Sequence, residues 1–126
     1  MTTIIVSAAV IERGGRFLVT RRQEGAHLGG NWEFPGGKCE AGEPLSACLS
    51  RELHEELGVE AEVGVELLET LYEYEDRRLE LHFVRCELGG EPIPLLGQEM
   101  RWVSRDELHE LKFPLADGEL IRMLTA

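Results

Sequence analysis

Leu45, Leu49, Leu53 and Leu57 recur at a spacing of four between Pro44 and Gly58, and no other run limits the fold of this chain as strongly. Apolar side chains at that spacing fall on one stripe of a 3.6-residue helix, so the segment must bury the stripe against another layer. Proline is pre-organised for a first helical turn, and glycine accepts the left-handed residue beyond a helix C-terminus. A helix opening at Pro44 and closing before Gly58 is therefore expected. On it Glu52, Glu55 and Glu56 stand at relative positions 0, 3 and 4, sharing an arc of roughly 100° beside the leucines. Like charges so placed repel by roughly 0.2–0.5 kcal/mol per pair, and Glu55 and Glu56 also oppose the helix dipole. Such a face is either a solvated acidic surface or a place made for a cation.

The flanking segments read as a mixed α/β chain. Ile4 to Ile11 and Phe17 to Arg21 are apolar and β-branched, separated by the hairpin punctuation Arg13-Gly14-Gly15-Arg16. Gly25 to Asn31 reads as a loop leading into Trp32-Glu33-Phe34-Pro35-Gly36-Gly37, where proline and the glycine pair stop regular structure. Val63 to Tyr74 and Leu79 to Cys86 read as strands, the second with Leu79, Leu81 and Phe83 alternating against Glu80 and His82. Met100 to Val103 makes a short last strand. Ser104 with Glu107 forms a capping-box pattern for a small helix, and Asp117 stands where it would cap a terminal helix reaching Leu124. With no repeat and no linker, residues 1–126 are expected to form a single domain.

Charge narrows the function. There are 24 Asp and Glu against 13 Lys and Arg, a net charge of -11, which disfavours a nucleic-acid polymer as partner because backbone binding works through Lys and Arg. An acidic chain that handles anions needs a cation between itself and the ligand. Cys39, Cys48 and Cys86 lack the paired spacing of a zinc or redox motif and read as reduced thiols in ordinary positions. The histidines at 27, 54, 82 and 109 show no ligand spacing. No charged-then-apolar leader opens the sequence, and its apolar runs are too short to span a bilayer, so a soluble cytoplasmic protein with no membrane partner is expected.

The string Gly37-Lys38-Cys39-Glu40-Ala41-Gly42-Glu43, followed after seven residues by Arg51-Glu52-Leu53-His54-Glu55-Glu56-Leu57-Gly58-Val59, resembles the signature of the Nudix hydrolases at every constrained position. Val19-Thr20-Arg21-Arg22, Ala26-His27, the Trp32 to Lys38 approach and Phe113-Pro114-Leu115-Ala116-Asp117 extend the resemblance toward the MutT-like branch of that family. The resemblance implies an α/β/α sandwich with a mixed β-sheet between helices. It implies a pyrophosphohydrolase acting on a nucleoside triphosphate, above all 8-oxo-dGTP, with Mg²⁺ or Mn²⁺ as cofactor. Glu52, Glu55 and Glu56, with a backbone carbonyl around Gly36 and Gly37, would be the metal ligands. Glu43 and Arg51 would be structural supports, paired with each other.

Substrate contacts would fall to Arg21, His27, Lys38 and Asp117, and the MutT-like pattern places a further catalytic glutamate before a tryptophan. Here Arg101 directly precedes Trp102, so Glu99 is the candidate, with Glu52 as the alternative base. Asp117 replaces the asparagine of the best-known pattern. An amide both donates and accepts, whereas an ionised carboxylate only accepts, so Asp117 would face O6 of 8-oxoguanine with negative charge unless protonated. An ionised Asp117 could instead accept from the N1 and N2 hydrogens of a guanine or from the N4 amino group of cytosine, and the latter makes a CTP or modified-dCTP pyrophosphohydrolase the rival reading. A nucleotide-sensing module without turnover is the rival from a different class, disfavoured because every glutamate of the signature is present. Trp32, Tyr72, Tyr74 and Phe83 are the aromatic side chains open to base stacking.

Overall fold

The computed structural model describes residues 2–23, 25 and 29–126. In chain order the elements are β1 (Thr2–Val10), β2 (Glu12–Arg13), β3 (Arg16–Arg21), β4 (Trp32–Glu33), β5 (Gly36–Lys38), α1 (Leu45–Leu57), β6 (Ala61–Glu73), β7 (Arg77–Leu88), β8 (Glu99–Val103), α2 (Arg105–Leu108), a 3₁₀ turn (Leu115–Asp117) and α3 (Gly118–Leu124). One sheet has the order β5-β1-β7-β6 and is mixed: β1 and β7 run parallel, the other pairs antiparallel. A second sheet forms around β3, which pairs with β2, β4 and β8.

Strand alternation divides the interior into two cores. Ala8, Val10, Phe17, Val19, Leu81 and Phe83 meet Leu108 of α2, Ala116 of the 3₁₀ turn and Leu120 of α3 on one side. Ala9, Ile11, Leu18, Val84 and Cys86 meet Leu49, Leu53 and Leu57 of α1 on the other. Sheets thus lie between α1 and the α2/α3 layer, the α/β/α sandwich expected from the sequence. Gly58 ends α1 in the left-handed region at φ 66°, its N–H donating to His54 O, and Ser104 and Glu107 make the full capping box at α2.

Three local expectations needed correction. The Gly36–Gly37 pair does not stop regular structure but forms β5, in antiparallel register with Ser7 and Ala8 of β1. Only residues without a Cβ can come that close: a Cβ on Gly36 would collide with the Ser7 carbonyl. Asp117 does not cap α3 with its side chain, because the 3₁₀ turn runs directly into the helix and leaves Asp117 helical at φ -88°, ψ -6°, not extended as a capping residue must be. Cys39 and Cys48 are not ordinary thiols, since the return of the chain from β5 into α1 joins them in a disulfide; only Cys86 is free, and buried. Among the described residues no helix is long and apolar enough to cross a membrane.

Candidate active site

Helix α1 delivers its carboxylates to the glycine pair of β5. Glu52 lies directly against Gly37, where an added Cβ would overlap its carboxylate. One turn on, Glu56 accepts a hydrogen bond from the Gly36 N–H. Glu55 stands apart: its side chain is 57% exposed and pairs with Arg51 at 3.4 Å. Among the described residues the trio is not one of the ligand sets converging within 4.8 Å. Helical spacing placed the three on one face, but mutual repulsion and the pull of Arg51 hold Glu55 on the outer side.

Arg51 is the organising cation. Its Nε and Nη2 donate to the two Glu43 oxygens at 2.9 Å each, Nη1 donates to Glu52 at 3.0 Å, and Nη2 also reaches the Lys38 carbonyl at 3.1 Å. This fork ties the loop after β5 to α1 and gives Glu43 and Arg51 the pairing expected of them. The hydrogen bonds from Arg51, with one from the Glu40 N–H, hold the Glu43 carboxyl down to about 2. Glu52 moves the other way, burial outweighing the help of Arg51. Glu56 is pushed up to about 8 by burial and then by the negative charges of Glu52 and Glu33.

These features fit a divalent cation. Carboxylate and carbonyl oxygens around Gly36 and Gly37 are hard donors suited to Mg²⁺, and only a residue without a Cβ at 37 lets the Glu52 carboxylate come this close to the β5 backbone. A cation there would relieve the cost that raises Glu52 and Glu56. Gly37→Ala is accordingly expected to displace Glu52 and lower kcat about a hundredfold, the scale of an ångström-sized misplacement; steady-state kinetics beside a circular-dichroism melt would check it.

Next to Glu56 opens a cavity of about 370 Å³, lined among others by Arg22, Glu33, Tyr74, Arg77, Phe83 and Asp117, with Lys38 exposed at its edge. Asp117 is only 6% exposed, and burial, reinforced by Glu33 and opposed by Arg22, raises its carboxyl to about 7. Glu33 is raised by burial too, although the Arg22 Nε donates to it at 2.8 Å. Tyr74 and Phe83 present aromatic surface to the cavity, whereas Trp32 is buried with the Arg101 guanidinium 4.9 Å from its ring centroid. Tyr72 packs against Tyr74, ring centroids 5.0 Å apart.

Two expected site residues lie outside this lining. Arg21 donates to Gly30 O at 3.1 Å, pairs with Glu99 at 3.5 Å and lines the smaller cavity beside Glu56, while its neighbour Arg22 lines both cavities. Glu99 is half-exposed between Arg21 and Arg101 and lines neither this cavity nor the smaller one of about 190 Å³ beside it, to which Gln98 contributes instead. Arg22 and Gln98 stand just beyond the ends of β3 and β8, where the chain leaves strand geometry and turns toward the cavities. His27 lies outside the described residues. Sequence reasoning also missed Glu33, Arg22 and Arg77, whose only signal was a charged residue beside an apolar strand. It missed His82 as well, a buried imidazole with Nδ1 2.7 Å from Glu66 and Nε2 2.8 Å from Glu80.

Comparison with known proteins places this geometry. The NUDIX domain model matches residues 6–123. A Haemophilus influenzae protein named 8-oxo-dGTP diphosphatase is 39% identical over 124 residues, covering 96% of this chain and 90% of that protein. The Escherichia coli CTP pyrophosphohydrolase is 37% identical over 121 residues, covering 95% and 88%. The solution structure of the E. coli ORF135 protein superposes with a TM-score of 0.85 at 36% identity, covering 100% of this chain and 89% of that one. With a helix of metal-suited glutamates set against a glycine pair, and relatives that match nearly end to end, the chain belongs to the Nudix hydrolase family, in its MutT-like branch.

Proposed function

We propose that this chain is a single-domain, Mg²⁺- or Mn²⁺-dependent nucleoside triphosphate pyrophosphohydrolase that clears oxidised guanine nucleotides, above all 8-oxo-dGTP, from the cytoplasmic pool. The anhydride between the α and β phosphorus is cleaved, releasing a nucleoside monophosphate and pyrophosphate. The observation that carries the choice of base is Asp117, a buried carboxyl raised to about 7 inside the cavity. Protonated, it has one O–H donor and a carbonyl acceptor, the same complement as an amide. It then donates to O6 of 8-oxoguanine and accepts from the N7 hydrogen. The relative named 8-oxo-dGTP diphosphatase supports this reading.

At the phosphate end Glu52 and Glu56, with the backbone at Gly36 and Gly37, would hold the cation, and Glu55 would complete the set from its outer position. When bound, the cation supplies neutralisation of the phosphate oxygens and acidification of the attacking water. Glu52, kept in place by Arg51 and raised by burial, is suited to take the proton of that water. Glu99 is not assigned this task, because its carboxylate is held between two arginines away from the cavity lining. Lys38, exposed at the cavity edge, meets the phosphates.

The second reading, hydrolysis of CTP or a modified dCTP, is favoured by the E. coli relative and by the ionised form of Asp117, which accepts from the cytosine N4 amino group. A panel of nucleotides with Mg²⁺ or Mn²⁺, coupled to inorganic pyrophosphatase, separates the two. The leading reading expects kcat/KM on 8-oxo-dGTP at least about tenfold above dGTP and CTP, the discrimination available from one well-placed hydrogen bond. Greater efficiency on CTP or dCTP moves the assignment to cytidine nucleotides, and no metal-dependent turnover on any triphosphate refutes both.

A further inference from the structure

Cys39 opens the loop that joins β5 to α1 and Cys48 stands in the first turn of α1, their Cα atoms 5.3 Å apart and their sulfurs bonded. Cys39 follows Lys38 at the end of β5 and is half-buried; Cys48 is fully buried, one helical turn before Glu52. The loop between them carries Glu43, whose carboxylate meets Arg51 and through it Glu52. We infer that Cys39 and Cys48 form a reversible redox-modification site, a disulfide that fastens the catalytic loop to α1 when a peroxide is present and opens when a thiol reductant prevails. The same sulfurs and a Glu43 oxygen lie within 4.8 Å of one another, a grouping with the atoms of a metal-ligand set. Both Glu43 oxygens are already engaged by Arg51, and one also takes the Glu40 N–H, so the carboxylate is committed elsewhere.

The chemistry balances with a peroxide as oxidant. The more accessible Cys39 sulfur attacks a peroxide oxygen, the O–O bond breaks, and a sulfenic acid and one water form. The Cys48 sulfur then attacks the Cys39 sulfur, the S–S bond closes and a second water leaves. Two thiols have lost two electrons and two protons to one hydrogen peroxide. In reverse, a dithiol reductant is oxidised to its own disulfide as Cys39 and Cys48 return to thiols. Disulfides that form inside cells are typically of this transient, redox-sensing kind. With the bond closed, Glu43, Arg51 and Glu52 retain their pairing, so closure holds the loop in its working arrangement. A cross-link acts by restricting the unfolded chain, so its first consequence is stability. Any effect on turnover rests on the pyrophosphohydrolase reading; thiol content and melting do not.

The test begins with reduced protein divided between dithiothreitol and hydrogen peroxide, the peroxide then removed and both samples placed in EDTA. Thiol titration under denaturing conditions is expected to count all three cysteines in the first and only Cys86 in the second. The oxidised form should melt about 5–10 °C higher. Cys39→Val, or Cys39→Ser should the first fold poorly, abolishes the difference, while Cys86→Ala keeps it. Returned to Mg²⁺, the oxidised enzyme keeps kcat within about twofold of the reduced one. Three thiols after peroxide, equal melting of the one-thiol and three-thiol forms, or a loss of turnover on closure overturns the proposal. Absence of turnover in both forms bears on the enzymatic reading alone, and the thiol count and melting shift still decide the site.

Discussion

Replacement of Glu56 by glutamine is expected to lower kcat by about three orders of magnitude while leaving the melting temperature of the metal-free protein unchanged or higher. The carboxylate is held against the cavity by the Gly36 N–H, and burial together with Glu52 and Glu33 disfavours its charge. Glutamine keeps an oxygen that can accept from Gly36 but removes the negative charge a cation would meet. Stabilisation of phosphoryl charge by a metal site is worth several kcal/mol, and about 4 kcal/mol corresponds to a thousandfold in rate. Relief of an unfavourable buried charge acts in the opposite sense on folding, so activity and stability separate. Glu52→Gln should lower kcat on the same scale, though it also loses its hydrogen bond from Arg51 at 3.0 Å and so should melt no higher than the parent. Full activity in both variants, measured at saturating Mg²⁺ and 8-oxo-dGTP, would falsify the metal-site reading; lost activity accompanied by lost structure would make these glutamates structural.

The second large effect concerns pH. For a carboxyl raised to about 7, the donor that reads O6 disappears as pH climbs through that value. Efficiency on 8-oxo-dGTP is therefore expected to fall between about pH 6 and 8, and efficiency on CTP to rise over the same interval, where the ionised form is the useful one. Glu33, Arg22 and Tyr74 face the same space, Glu33 raising and Arg22 lowering Asp117, so the limb reports the coupled group and not an isolated acid. Asp117→Asn, which always carries a donor and an acceptor, should flatten the profile on 8-oxo-dGTP. Asp117→Ala should cost about 10- to 100-fold in kcat/KM at pH 6, the worth of one buried hydrogen bond to the base.

Stability supplies an independent reading of the same group. The folded Asp117 carboxyl is raised above its ordinary 3.8, so between about pH 3.8 and 7 the folded protein keeps a proton that the unfolded chain releases. Its contribution to stability is therefore lost as pH rises through that window, by at most about 4 kcal/mol for a shift of this size. Asp117→Asn escapes that loss, and urea unfolding should find it more stable than the parent at pH 7.5 but not at pH 4. A parent profile flat in both activity and stability would show that Asp117 is already ionised or lies outside the base site.

The acidic composition, which disfavours polymeric nucleic acid, would have a local use at Glu52 and Glu56 in the proposed metal site. Burial opposes the charge of each glutamate, a cost that a cation joining them to a phosphate would offset. On that reading a chain of net charge -11 would bind an anion through the cation, with no need of a basic patch. Arg51 contributes by geometry more than by charge, since its fork is spent on Glu43, Glu52 and the Lys38 carbonyl.

What was legible in the sequence depended on interactions within a few residues. The leucine stripe, the Gly58 terminator and the Ser104–Glu107 box arise from contacts one or two helical turns long, and their spacing carries them. The Glu43–Arg51 support and the Glu52 and Glu56 positions belong to the same helix and its entry, so the sequence by itself determined where these side chains stand and the layer α1 packs against. Tertiary structure decided what depends on which distant strand lies opposite. Where β3 and β8 end set which neighbours line the larger and smaller cavities: Arg22 lines both, Arg21 and Gln98 only the smaller, and Glu99 neither. Tertiary packing also set His82 between Glu66 and Glu80 and enclosed Asp117 with Glu33, and the turn from β5 back into α1 brought Cys39 to Cys48. The protonation of Asp117, on which the choice between guanine and cytosine rests, is set by burial and neighbouring charge, and those exist only once the chain has folded around it.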